Sequence, residues 1–149
     1  MEQTTALSEP NRVRAQSSQA VNNEIDQTIR RSVQSYAGQS REAITRRIDE
    51  LDREWDVERT LELNASTLAL TGLILGATVN KKWLIVPGVV LPFLFQHAVQ
   101  GWCPPLPVLR NMGIRTREEI DREKYALKAL RGDFENAQDA NRALDAAQA

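Results

Sequence analysis

LNASTLALTGLILGATV, residues 63–79, and WLIVPGVVLPFLFQHAVQGWC, residues 83–103, flank the tripeptide Asn80-Lys81-Lys82. The first stretch has 17 residues and the second 21. Each is near the ~20 residues that carry a helix across a hydrocarbon core. Between Leu63 and Leu109 the only charges are Lys81 and Lys82, whereas the other 102 residues carry 37. Backbone polar groups in lipid must be paired within the segment, so both stretches are expected to be helices, and a three-residue link makes them antiparallel neighbours. The expected fold class is an all-α membrane protein: a two-helix transmembrane hairpin, residues 63–103, flanked by helical arms. Trp83 and Trp102 are 19 residues apart, about 28 Å along a helix, which suits one indole at each interface. Pro87 fits the first turn of its helix, while Pro92 removes the bond to the Gly88 carbonyl and should kink the span. Two other arrangements fit the same residues: a soluble pair of core helices, and a hairpin that enters and leaves one leaflet.

Outward from the spans, Arg46, Arg47, Arg53 and Arg59 precede the first and Arg110, Arg115, Arg117 and Arg122 follow the second. Four and four against the two tip lysines place both termini in the cytoplasm. The first twenty residues lack an apolar core of the signal-peptide kind, so the first span is expected to direct its own insertion.

Composition excludes several functions. Nineteen Lys and Arg against twenty Asp and Glu leave a net charge of −1, with no basic surplus for nucleic acid. One cysteine, Cys103, permits neither an internal disulfide nor a multi-cysteine metal site, and a lone histidine, His97, removes most zinc and triad arrangements. No catalytic residue, cofactor or metal ligand is expected. The mean hydropathy of −0.43 reads as soluble only because polar arms dilute an apolar middle.

Within the spans, Gly72 and Gly76 form a GxxxG that lets helix backbones approach, against the second span or another copy of the chain. Reflection about Lys81 brings Gln96, His97 and Gln100 level with Asn64, Ser66 and Thr67, and these six are expected to form an interhelical polar clasp. The sharper reading makes His97 a proton or ligand site, as ionisable groups in spans often are. Cys103 opens a Cys103-Pro104-Pro105-Leu106-Pro107 stop and is expected to pack.

Gly101-Trp102-Cys103-Pro104, closing an apolar hairpin and followed by Asn111-Met112-Gly113, resembles the YgaP-like inner-membrane transmembrane domain family over roughly residues 60–113. The resemblance implies a multi-pass protein of the bacterial inner membrane with no assigned activity. Some relatives anchor a rhodanese sulfurtransferase domain on such a hairpin. Neither arm here carries a cysteine nucleophile of its own, and Pro105 and Pro107 depart from the family pattern.

The N-terminal arm begins with a polar tail, residues 1–16, expected to be disordered. Over residues 17–62, Val21, Ile25, Ile29, Val33 and Tyr36, then Ile44, Ile48, Leu51 and Trp55, recur in steps of three and four outside an eight-residue gap, the stripe of one long amphipathic helix or of two that break near Gly38. Asp26 with Arg30, Glu42 with Arg46 and Asp49 with Arg53 have the favourable acid-first spacing. Seven acids and two arginines between Asp49 and Glu62 disfavour anionic lipid, so the stripe is expected to meet protein: another copy, or a membrane or cytoplasmic partner. In the C-terminal arm, residues 104–149, Thr116 and Glu119 form a capping box that opens a helix over about 117–131, with Ile120, Leu127 and Leu130 on one face, Glu118 paired to Arg122, and Gly132 ending it. Phe134, Ala137 and Leu144 suggest a short further helix.

These features point to a non-enzymatic protein that uses the hairpin as anchor and its cytoplasmic helices for self-association or partner docking. The rival readings are an interfacial redox or sulfur-handling protein built on Cys103 and His97, and a small oligomeric channel or transporter. Six residues separate Cys103 from His97, roughly 120° around a continuous helix, so the two share a face only if the helix unwinds.

Overall fold

Val57 opens a helix because the Asp56 carboxylate accepts the Arg59 N–H at 2.8 Å, satisfying one of the donors a helix start leaves free. That helix is α4, Val57–Thr78, in a chain that a computed structural model describes over residues 11–135 and at residue 143. The others are α1 (Arg12–Ala15), α2 (Gln19–Tyr36), α3 (Arg41–Arg53), α5 (Ile85–Gln100), α6 (Leu106–Asn111) and α7 (Arg117–Arg131), with one 3₁₀ turn at Lys81–Leu84. Among the described residues all regular structure is helical. Residues 1–10 of the expected tail, and the further helix expected through Ala137 and Leu144, lie outside the described residues.

Residues 11–16 depart from the expected disorder. The Asn11 side chain accepts the Arg14 N–H at 3.0 Å, capping α1, and Val13 is buried. The chain folds here because Val13 has a core to enter.

The chain divides into two compact units. In the first, residues 11–23 join Trp55–Arg117. Its core is Val13, Val57, Leu61, Cys103 and Leu106, with Trp102, Leu109 and Ile114 packed on it. Two ends in this unit use glycine for a left-handed backbone: Gly101 stops α5 at φ 75°, and Gly113 ends α6 at φ 82°, where its N–H bonds back to Arg110 and that of Ile114 to Leu109. The stop read at Pro104-Pro105 is in fact the entry to α6: Pro105 precedes its first residue and Pro107 sits in its first turn, where a missing N–H costs little.

The second unit joins Glu24–Glu54 to residues 118–135. Here Ile44, Ile48 and Leu51 of α3 bury against Ile120 and Leu127 of α7, with Tyr36 alongside. Full burial of a side chain of this kind contributes about 1.5–3 kcal/mol. The helix break falls at residues 37–40, with Gly38 at φ 87°, and Ser40 caps α3 by accepting the Ala43 N–H at 3.3 Å.

Four expectations for the arms change. Ile44, Ile48 and Leu51, with Ile25 and Ile29, were expected to face a partner; all five are buried within this chain, and for Ile44, Ile48 and Leu51 the cover is Ile120 and Leu127 of α7. Val21 and Val33 are half-buried. Trp55 leaves the stripe altogether: α3 ends at Arg53, and its indole is 49% exposed with the Arg59 guanidinium 5.1 Å from the ring centroid. Leu130 is exposed, while Glu123 is buried; its Oε1 accepts from Ser32 Oγ at 2.6 Å and from Arg47 at 3.0 and 3.1 Å. Arg122 reaches Asp26 of α2 at 2.6 Å in place of Glu118.

Candidate functional site

The hairpin runs from α4 through the 3₁₀ turn into α5. At its tip the Asn80 side chain accepts the Lys82 N–H at 2.9 Å, and the Asn80 carbonyl accepts that of Trp83 at 3.0 Å, so a tight reversal is held by local bonds. Two helices are long and apolar enough to cross a membrane, and their apolar windows are only 22% and 11% buried. The first candidate, Arg41–Thr78, is interrupted at residues 54–56, which leaves α4 as its apolar part; the second is Lys81–Gln100. Outward stand large side chains such as Leu70, Ile74, Ile85 and Phe95, the last 72% exposed.

Inward, the glycine pair sets the contact between the helices. A β-carbon on Gly72 would lie 2.5 Å from Pro87 Cδ and 2.9 Å from Val86 Cβ; one on Gly76 would lie 2.6 Å from Leu84 Cδ2. Both glycines are buried, and the GxxxG therefore packs on the returning arm of its own hairpin, Gly76 on the 3₁₀ turn and Gly72 on the start of α5. Pro87 occupies the first turn of α5, and α5 continues through Pro92.

The expected polar clasp is not formed. Asn64 Nδ2 donates to the Thr60 carbonyl at 2.7 Å, Ser66 Oγ to the Glu62 carbonyl at 2.6 Å, and the Thr67 carbonyl accepts from Thr71 Oγ1 at 2.7 Å. Gln96 Nε2 donates to Gln100 Oε1 at 3.3 Å, and His97 Nδ1 is buried with no hydrogen bond. The physical reason is competition: a carbonyl one turn back lies within reach of a short polar side chain, whereas the opposite helix requires alignment at long range. None of the six bonds across the hairpin.

Toward its base the hairpin opens. A cavity of about 240 Å³ lies between α4 and α5, walled by Ala65, Leu68, Val90, Phe93 and Leu94 and by His97 and Cys103 at one end. Cys103 and His97 thus line one space, meeting the condition set by helix geometry: α5 stops at Gly101 and the chain turns before Cys103. Cys103 is buried in the apolar core of the base, as expected of a packing residue. Trp102 is half-buried on the same core instead of projecting from the end of a continuous helix.

Below the cavity, residues 11–22 close the base. A β-carbon on Gly101 would meet Arg12 Cβ at 2.6 Å and the Arg12 carbonyl carbon at 2.7 Å, and the Arg12 guanidinium donates to the Ala98 and Val99 carbonyls at the end of α5. Those carbonyls have no partner within the helix, and a cation is favoured at a helix C-terminus. Asn11 Nδ2 donates to Thr116 Oγ1 at 3.1 Å, and the Val57 N–H to the Arg115 carbonyl at 3.0 Å. Arg110, almost wholly buried, donates to Ser17 Oγ at 3.1 Å, the Ile114 carbonyl at 3.2 Å and Asn22 Oδ1 at 3.0 Å. Beside them one Glu58 oxygen is buried without a hydrogen bond, and burial, with Asp56 nearby, pushes this carboxyl above its ordinary value. Arg12, Asn22 and Glu58 were not singled out from the sequence, and Arg110 was read only as one of the arginines that set orientation. Only the position of Arg110, just past the apolar run, hinted at a role.

No family model, curated protein or solved structure matches this chain.

Proposed function

We propose that the chain is a non-enzymatic integral membrane protein in which residues 63–78 of α4, together with α5, form a transmembrane hairpin that anchors a helical module outside the bilayer, both termini being cytoplasmic. One observation carries the reading: the most apolar helices turn their large side chains outward, while the segments on either side of them pack on each other. In the second unit α3, which precedes the hairpin, shares a core with α7, which follows it. In the first unit residues 11–22 bond to residues 98–116 across the hairpin base. A single core made of both flanks requires both flanks on one side of a membrane. The excess of arginine in those flanks over the two tip lysines supports the cytoplasmic side.

The docking role passes from the Ile25–Leu51 stripe to the module's outer surface, since that stripe is internal core. Kinship with the YgaP-like inner-membrane family belongs to the same proposal: the residues that carry it, Gly101-Trp102-Cys103-Pro104, form the turn from α5 into the base. The apolar walls of the cavity and the burial of Cys103 support a packing role for that thiol over sulfur chemistry.

Alkaline carbonate washing of expressing membranes, with reporters fused to each terminus, tests the proposal. The chain should stay in the membrane pellet and both reporters should act in the cytoplasm. Release into the supernatant, or reporters active on opposite sides, contradicts it.

A further inference from the structure

The hairpin is tight at one end and open at the other. Near the tip, Gly72 and Gly76 leave no room even for a methyl group against Pro87 and Leu84. Nearer the base, Ala65 and Leu68 stand apart from Val90 and Phe93, leaving the cavity of about 240 Å³. Resting on the membrane reading above, we propose that this wedge holds one acyl chain of a bilayer phospholipid, its ester end toward His97 and Pro104 and its methyl end toward Val89.

Three observations select this occupant. Water is a poor one: the walls are almost wholly apolar and offer few of the two to four polar partners an ordered water needs, and with Leu68, Val89 and Phe93 exposed the space opens on the surrounding medium, which is lipid in the membrane reading. A helix from a second copy is too thick. Val89 to His97 spans about 12 Å of helix, and that length of a helix about 10 Å across would occupy roughly 900 Å³, well beyond this cavity, whereas an unbranched alkyl chain is thin enough to lie along it. The third observation fixes direction. The polar residues of the lining, Asn64 and His97, lie toward the base, where the chain leaves α5 at Gly101 and where the proposed span meets the interface.

The test uses the full-length chain reconstituted in vesicles of palmitoyl-oleoyl phosphatidylglycerol and phosphatidylethanolamine, extracted in mild detergent and weighed intact by native mass spectrometry. Wild type should carry one phospholipid that survives detergent dilution, as should Leu70→Phe on the outer face of α4. Ala65→Phe and Val90→Phe, which fill the wedge from opposite walls, should lower the bound fraction about tenfold or more, equivalent to at least about 1.4 kcal/mol of binding, with helicity unchanged by circular dichroism. A wild type without bound lipid, or equal retention in all four chains, overturns the assignment. Carbonate washing of the same preparations separates the two ideas: a chain washed off the vesicles fails both, whereas a retained chain whose lipid ignores both wedge substitutions fails this one alone.

Discussion

Arg110 Nη2 donates to Asn22 Oδ1 at 3.0 Å, joining the segment before the hairpin to the segment after it in a buried bond across 88 positions of sequence. Ser17 Oγ and the Ile114 carbonyl also accept from this guanidinium, which thereby bonds to both flanks. A buried cation is stable only when its donors are used, and the planar fork of arginine reaches several acceptors at once.

Arg110→Ala should therefore cost about 1–3 kcal/mol, because it strands acceptors away from water. Arg110→Lys should recover little of it, lacking the fork. Thermal unfolding in detergent, followed by circular dichroism, measures both; an unchanged midpoint for Arg110→Ala contradicts the clamp.

Close packing of the hairpin helices makes a second prediction. Gly72→Leu and Gly76→Leu should each destabilise the hairpin by about 1–3 kcal/mol through overpacking against Pro87 and Leu84. Gly88→Ala, whose new β-carbon meets nothing within 4 Å, should be neutral. Equal midpoints for all three would show that the glycines are not the contact.

Glu58 sets a pH dependence. Its carboxyl is raised by burial, so the folded chain holds that proton more tightly than the unfolded chain does. Stability from this group is then greatest below the ordinary carboxylate range and falls as pH rises through the raised value. Glu58→Gln should flatten that decline and stabilise the chain at neutral pH. Parallel melting curves for the two chains from acid to neutral pH would contradict the assignment.

Arg47 and Glu123 are unequal partners. The carboxylate is almost wholly buried, whereas the guanidinium retains about a quarter of its exposure and also bonds Glu50 at 3.1 Å. Arg47→Ala leaves a buried charge short of its counterion and should cost about 3 kcal/mol or more, while adding Glu123→Gln should return part of that loss. Strictly additive losses in the double variant would dismiss the coupling.

Much of the hairpin was legible because a run of residues without charge constrains helix length and direction by itself. The apolar stripe from Ile44 to Leu51 was equally legible, but its cover was not: Ile120 and Leu127 arrive from about seventy residues further on, and periodicity records which face is apolar without recording what meets it. Buried polar groups escaped for a related reason. Glu123 and Lys128 read as solvent-facing by residue type, Glu119 only as a helix cap and Arg110 only as a flanking charge, yet all four are buried. The polar clasp was drawn from matching depth along two helices, and the bonds of Asn64 and Ser66 to their own backbone show that depth does not fix a partner.

The central claim, a hairpin with its tip on one side of a membrane and both flanks on the other, is tested most directly by single cysteines on a Cys103→Ala background. Lys82→Cys at the tip, Gln16→Cys before the hairpin and Glu118→Cys after it are exposed to a membrane-impermeant maleimide in sealed vesicles of both orientations. Lys82→Cys should label from the outside of right-side-out vesicles, and Gln16→Cys and Glu118→Cys only in inverted ones. Labelling of all three from the same side, or of Gln16→Cys and Glu118→Cys from opposite sides, would contradict it.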